Sequence, residues 1–265
     1  LGPVLAGRVP TIAAVTLLSL LCYREYARAT GLFRERALSA VVVAGILLSN
    51  FAALDHWYGF FVALWPLMAC ALAVATIPLD RPAGYIQRVA LAVFGYMLFG
   101  AGLAHLGYMA NDPNYRPLVL LLLTAVALND VAAFTAGKLI GGPKLIPNTS
   151  PNKTVSGALG ALLTTTALVW FVAGRIFAGT PMGGTGWLLL MGALVSVGGQ
   201  MGDLLLSSIK RDLGIKDMGA VLPGHGGVLD RFNSMLLVAP VVFHLVGYFV
   251  GFGLAEPTRL LSGGP

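Results

Sequence analysis

Residues 117–137 read PLVLLLLTAVALNDVAAFTAG, and this stretch decides the fold. It matches the roughly 20 mainly apolar residues that a helix needs to cross a bilayer. It shows no alternation of apolar and polar positions, so it does not read as a strand. Runs of the same kind lie at about 4–22, 37–54, 58–79, 87–109, 156–178, 186–209 and 234–254. The expected fold is therefore all-α: a polytopic transmembrane helix bundle of about eight spans in this chain. A β-barrel would need short alternating segments, which are absent.

Composition agrees. The chain is 57% hydrophobic and 11% charged, whereas a soluble domain carries about 25% charged residues. Most of the 34 glycines sit within or beside apolar runs, where small residues let membrane helices approach closely. Cys22 and Cys70 have no CxxC partner, which speaks against zinc. The start at Leu1 rather than Met is read as loss of an N-terminal segment, and no signal peptide is visible there.

Charge sets the topology. Apart from Arg8, Arg116, Arg175 and Arg259, the basic residues, 13 of the 17, fall in segments 23–36, 80–86, 138–155 and 210–233 or, as Arg88, beside them. These segments alternate with poorly charged ones, so the positive-inside rule places them in the cytoplasm. The net charge of +6 is read through this topology, and nucleic acid is not expected as a partner. The chain divides into N-terminal transmembrane helices, 1–115, and a C-terminal catalytic region, 116–265, with cytoplasmic loops 138–155 and 210–233. The expected location is a membrane that carries these two loops on its cytoplasmic side.

Polar residues gather at that side. Asp203 lies near the end of an apolar span, and Gln200, Ser207 and Lys210 share its helical face. Asp130 closes the run LLLLTAVALND and shares a face with Lys138. Ionisable residues inside a membrane are costly and usually functional. A structural Asp203–Lys210 pair is the plainer reading. A proton or ion pathway fits less well, because the polar groups gather at one face and do not cross the bilayer.

The two loops read GKLIGGPKLIPNTSPNKTVSG (137–157) and KRDLGIKDMGAVLPGHGGVLDRFNS (210–234). They combine Asp212, Asp217 and Asp230 with Lys144, Lys153, Arg211, Lys216 and Arg231, and with Ser150 and Thr154. Carboxylates suit Mg²⁺, cations suit phosphate oxygens, and the Pro223–Gly227 run suits an anion held by backbone N–H groups. Phosphoryl or nucleotidyl transfer needs such a mixture. GxxxxGK[ST], HExxH and GxSxG are absent.

The motifs Ser207-Ser208-Ile209-Lys210-Arg211, Lys216-Asp217, Pro223-Gly224-His225-Gly226-Gly227 and Asp230-Arg231 resemble the C-terminal signature of the phosphatidate cytidylyltransferases (CDP-diacylglycerol synthases). Gly202-Asp203, Asp130 with Gly137-Lys138, and Ser150-Pro151-Asn152-Lys153-Thr154 also match. The resemblance is strong over about 128–234 and weak before that. It implies CTP, phosphatidic acid and membrane lipids as partners, with a homodimer open, and a full-length bundle of about nine helices.

On that basis Asp203, Lys210 and Asp230 are expected as catalytic residues, Asp203 and Asp230 also as ligands of Mg²⁺. Substrate binding is expected from Asp130, Ser150, Lys153, Thr154, Ser207, Arg211, Lys216, His225, Gly226, Gly227 and Arg231. Asn233 stands where the family usually has an acid, and Asn152 where it usually has a lysine. These departures leave room for another phosphorylated lipid. The alternatives are a CTP-dependent kinase of an isoprenoid alcohol, and a transporter or scaffold with a degenerate site.

Overall fold

The computed structural model describes residues 1–220, 226–252 and 259–263. It divides into two compact units. One comprises Gly2–Asp112, Asp217–Arg231 and Phe252–Pro265; the other comprises Leu1, Pro113–Lys216 and Phe232–Gly251.

The first unit begins with α1 (Gly2–Ala6) and α2 (Arg8–Ala29). The expected span at 4–22 is thus divided at Gly7, whose φ is +136°. The helix also continues to Ala29, so Arg24, Glu25 and Arg28 stand on α2 rather than in a loop. Helices α3 (Arg36–Leu54), α4 (Tyr58–Val74), α5 (Tyr85–Gly95) and α6 (Leu103–Met109) follow. A π-helical segment, Tyr96–Gly102, joins α5 to α6. Such a segment widens the helix locally, and here it carries Tyr96 and Phe99 into the core, where both are fully buried. The Tyr96 hydroxyl meets Ser49 Oγ at 3.0 Å.

In the second unit, α7 (Tyr115–Ile140) packs along α8 (Val155–Ile176), and α8 packs along α9 (Thr185–Asp212). Small residues make the first of these packings close: a Cβ on Gly157 would lie 2.5 Å from the Ala133 carbonyl oxygen, and one on Gly160 2.3 Å from Ala136 Cβ. Strands β1 (Lys144–Ile146) and β2 (Ser150–Thr154) form an antiparallel hairpin between α7 and α8. The sequence excludes a continuous helix here but does not reveal the hairpin, because the prolines and glycines of 141–151 mask any alternation.

The short α10 (Leu229–Phe232) precedes α11 (Met235–Val250). Among the described residues, six helices are long and apolar enough to cross a membrane. Helix α2 has 22 residues but carries Arg8, Arg24, Glu25 and Arg28, and α11 has 16. A helical membrane protein is the architecture observed.

Candidate active site

In the second unit the hairpin delivers Lys153 to Asp203. The Thr154 hydroxyl caps α8 by accepting from the Gly157 N–H at 3.1 Å. This fixes the end of β2 against the helix, and Lys153, one residue earlier, forms a salt bridge with Asp203 Oδ2. Both side chains are about a quarter exposed (26% and 29%), so the pair is partly shielded without being sealed. The turn before β2 is held from α9, where Arg211 Nε donates to the Thr149 carbonyl at 3.2 Å.

The other carboxylate oxygen of Asp203 is also engaged. Asn233 Nδ2 donates to Asp203 Oδ1 at 2.6 Å. Gly202 permits this: a Cβ there would lie 2.5 Å from the Asn233 carbonyl oxygen. Asn233 Oδ1 in turn accepts from the Ser234 N–H at 2.7 Å, at the start of α11. Asp130, on α7, lies within electrostatic reach of both Asp203 and Lys153. One carboxylate, one ammonium and one amide therefore meet within one unit, with a second carboxylate in electrostatic reach.

These partners differ in part from those expected. The salt bridge of Asp203 is to Lys153, across the hairpin, rather than along α9 to Lys210. The ammonium of Lys138 lies over the Phe134 ring, 5.8 Å from its centroid, one turn back on α7. Lys210 and Arg211 stand in the last turn of α9, where cations favour the helix dipole. Ser207 is half-buried one turn after Asp203, Ser150 opens β2, and Lys216 is exposed.

The polar stripe through Gln200 continues inward. Gln200 Nε2 donates to Ser196 Oγ at 3.1 Å and to the Ala158 carbonyl at 3.3 Å. Ser196 and Thr165 both donate to Asn129 Oδ1, at 2.6 and 3.1 Å. This buried network ties α7, α8 and α9 together beside Asp130 and one turn from Asp203.

Asp230, Gly226, Gly227 and Arg231 lie in the first unit. Asp230 Oδ2 accepts from the Met218 N–H at 2.9 Å and the Gly227 N–H at 3.0 Å. Gly226, with φ of +80°, would present a Cβ 3.3 Å from Asp230 Oδ2 and 3.4 Å from Asp217 Oδ1. Arg231 is exposed on α10. His225 lies outside the described residues.

One residue that no sequence motif marks stands against this loop. Glu25, on α2, is 4% exposed. Its Oε1 accepts from the Val228 N–H at 2.9 Å and its Oε2 from the Leu229 N–H at 2.8 Å. No local pattern links residues 203 or 204 positions apart. The only sequence signal is a lone acid among the basic residues of YREYAR.

The profile of the cytidylyltransferase family matches residues 1–249. The chain belongs to this family. Among curated relatives, the Escherichia coli (strain K12) protein named "Uncharacterized protein YnbB" is 32% identical over 244 residues, covering 90% of this chain and 79% of that protein. The phosphatidate cytidylyltransferase of Rickettsia bellii is 32% identical over 161 residues, covering 60% of this chain and 70% of its own length. That of Staphylococcus epidermidis is 44% identical over 158 residues, covering 59% of this chain and 56% of its own length. Family membership agrees with the resemblance carried by the signature, and adds the N-terminal region where that resemblance is weak.

Proposed function

We propose that this protein transfers the cytidylyl group of CTP to phosphatidic acid, forming CDP-diacylglycerol and pyrophosphate at the cytoplasmic face of a bacterial inner membrane. The observation that carries this reading is the contact of Lys153 and Asn233 with Asp203 on an apolar helix of a cytidylyltransferase, with Asp130 in electrostatic reach. A site for phosphates beside lipid fits such a substrate pair.

The phosphate of phosphatidic acid is an anion near neutral pH, so no strong base is required to make it a nucleophile. The barrier is charge repulsion as its oxygen approaches the α-phosphorus of CTP. A new P–O bond forms there as the bond to the β-phosphate oxygen breaks, and the electron pair leaves with pyrophosphate. Lys153 offers an ammonium to these oxygens, and Lys210 and Arg211 add charge at the end of α9. Preorganised cations of this kind act where charge develops.

Mg²⁺ suits the donor set. Among the described residues no three acidic, His or Cys side chains gather into a closed cage. Mg²⁺ commonly takes one or two carboxylates and fills its other positions with substrate phosphates and water. Asp203, with Asp130 beside it, would hold the ion, and the ion would neutralise phosphate charge. A metal role for Asp230 rests on the signature resemblance.

Purified protein with phosphatidic acid and CTP labelled at the α or γ phosphate tests the reading. CDP-lipid carrying the α label is expected in the presence of Mg²⁺, and Asp203→Asn should abolish it while folding normally. Transfer of the γ label to a lipid alcohol would identify a kinase instead. No labelled lipid at all, with Asp203→Asn indistinguishable from the parent, would overturn both.

Asn233 favours a second lipid reading. With an amide where the family usually carries an acid, a different phosphorylated lipid could be the acceptor. A panel of phosphorylated lipids, read by mass spectrometry, ranks the candidates.

A further inference from the structure

The glycine-rich part of the signature is not self-supporting. Asp230 closes it from within, through the Met218 and Gly227 amides. Two further amides, Val228 and Leu229, end on one buried carboxylate, Glu25. The absence of side chains at two positions makes room for that carboxylate. A Cβ on Gly227 would lie 2.3 Å from Glu25 Oε2, and one on Gly219 2.7 Å from Oε1. The loop is thus shaped around Glu25 at both of its described ends.

A carboxylate accepting two backbone N–H groups forms charge-assisted hydrogen bonds, stronger than neutral ones. Both oxygens must be acceptors here. A glutamine would turn an N–H₂ group towards an N–H group, placing donor against donor. An aspartate is one methylene too short to reach both amides.

We infer that Glu25 is a positioning residue for nucleotide binding: α2 sets the conformation of residues 218–219 and 226–230 and thereby the affinity for the phosphates of CTP. The inference rests on the cytidylyl-transfer reading, since it assigns the loop to CTP rather than to the lipid. Glu25 touches no reacting atom; it acts through the amides of Val228 and Leu229 and through the closeness of Gly219 and Gly227. A residue in the N-terminal helices therefore tunes a motif near the other end of the chain.

The test has two independent readouts. The first is amide hydrogen exchange of residues 226–231 in the full chain without substrate, comparing the parent with Glu25→Gln. Protection of Val228 and Leu229 should fall while that of α7 and α9 stays. The second is steady-state kinetics. Glu25→Gln should raise the KM for CTP by about 10- to 100-fold, the range seen when outer partners of a site are removed, and leave the KM for phosphatidic acid unchanged. A purely structural role would lower the thermal midpoint without separating the two KM values.

If Glu25→Gln does not fold, Gly227→Ala presses on the same carboxylate from the opposite side and should show the same selective rise for CTP. Unchanged exchange at 227–229 in the folded variant overturns the inference, and so does an equal change in both KM values. A parent protein that makes no CDP-lipid overturns the functional reading instead, while the exchange measurement still reports on Glu25 and its loop.

Discussion

Asn233 donates its amide N–H to Asp203 Oδ1 at 2.6 Å, so the residue that departs from the family signature is bound to the central carboxylate of the second unit. An amide supplies a donor, whereas an aspartate would place a second negative charge at that separation. Like charges so close require a shared proton or a cation. In Asn233→Asp we expect a loss of about 1–3 kcal/mol of stability in the absence of divalent cations, restored by Mg²⁺. Thermal unfolding in detergent with and without Mg²⁺ checks this. A variant as stable as the parent under both conditions would show that Asp203 Oδ1 does not depend on that donor.

Lys153 separates a structural from a catalytic role by magnitude. Its salt bridge with Asp203 is partly exposed, and such pairs contribute about 0–1 kcal/mol to stability. A cation aimed at a transferring phosphate is worth about 10²- to 10³-fold in rate. Lys153→Met should therefore unfold close to the parent temperature and lose about 10²-fold or more in kcat/KM, with partial recovery in Lys153→Arg. Steady-state kinetics beside thermal unfolding gives the answer.

The network around Asn129 should matter for stability. Its side chain is fully buried, and its Oδ1 accepts from Thr165 and Ser196. Replacement by leucine removes the acceptor and leaves two hydroxyls to find other partners. Interhelical hydrogen bonds in membranes average about 0.6 kcal/mol, and buried unsatisfied groups cost about 1–3 kcal/mol. Asn129→Leu is expected to fall between these limits, measured by denaturant unfolding in mixed micelles.

The sequence made some of this arrangement legible and hid the rest for physical reasons. Helix positions followed from the length and apolarity of runs such as 117–137, because lipid demands both. The importance of Asp203 followed from the cost of a charge in such a run. Its partner did not: Lys210 is two turns along the same helix, whereas Lys153 arrives on a hairpin that no periodicity betrays. The end of α2 resembles a loop in sequence because charge ordinarily marks the boundary of a span, yet Arg24, Glu25 and Arg28 continue the helix. The role of Asn233 was half legible. The missing acid was evident, but its hydrogen bond depends on the close approach that Gly202 allows.

Asp55 supplies a pH prediction in the first unit. Burial disfavours its ionised form. The Ser262 hydroxyl, the Leu261 and Ser262 amides and the Arg259 charge outweigh burial and hold the carboxyl below its usual range. The amides lie 2.5 and 3.0 Å from Oδ1. A carboxylate with a lowered pKa contributes stability above its ordinary value and loses it as pH falls through the depressed one. Hydrogen exchange at Leu261 and Ser262, corrected for intrinsic rate, should show protection at neutral pH that disappears only below the ordinary carboxylate range. Asp55→Asn should show weak protection throughout.

The first unit takes its residues from three separate stretches of chain, and this bears on how it is made. Glu25 leaves the ribosome early, and the amides that receive its carboxylate follow 203 and 204 residues later. Closing so long a loop adds little entropy cost, since that cost grows only logarithmically with length. The delay is the larger burden. Until synthesis passes Leu229, the acid near the end of α2 has no backbone donors from that loop. Any break in the chain between Asp112 and Asp217 would divide this unit between two fragments, so it cannot be expressed intact as a contiguous N-terminal piece.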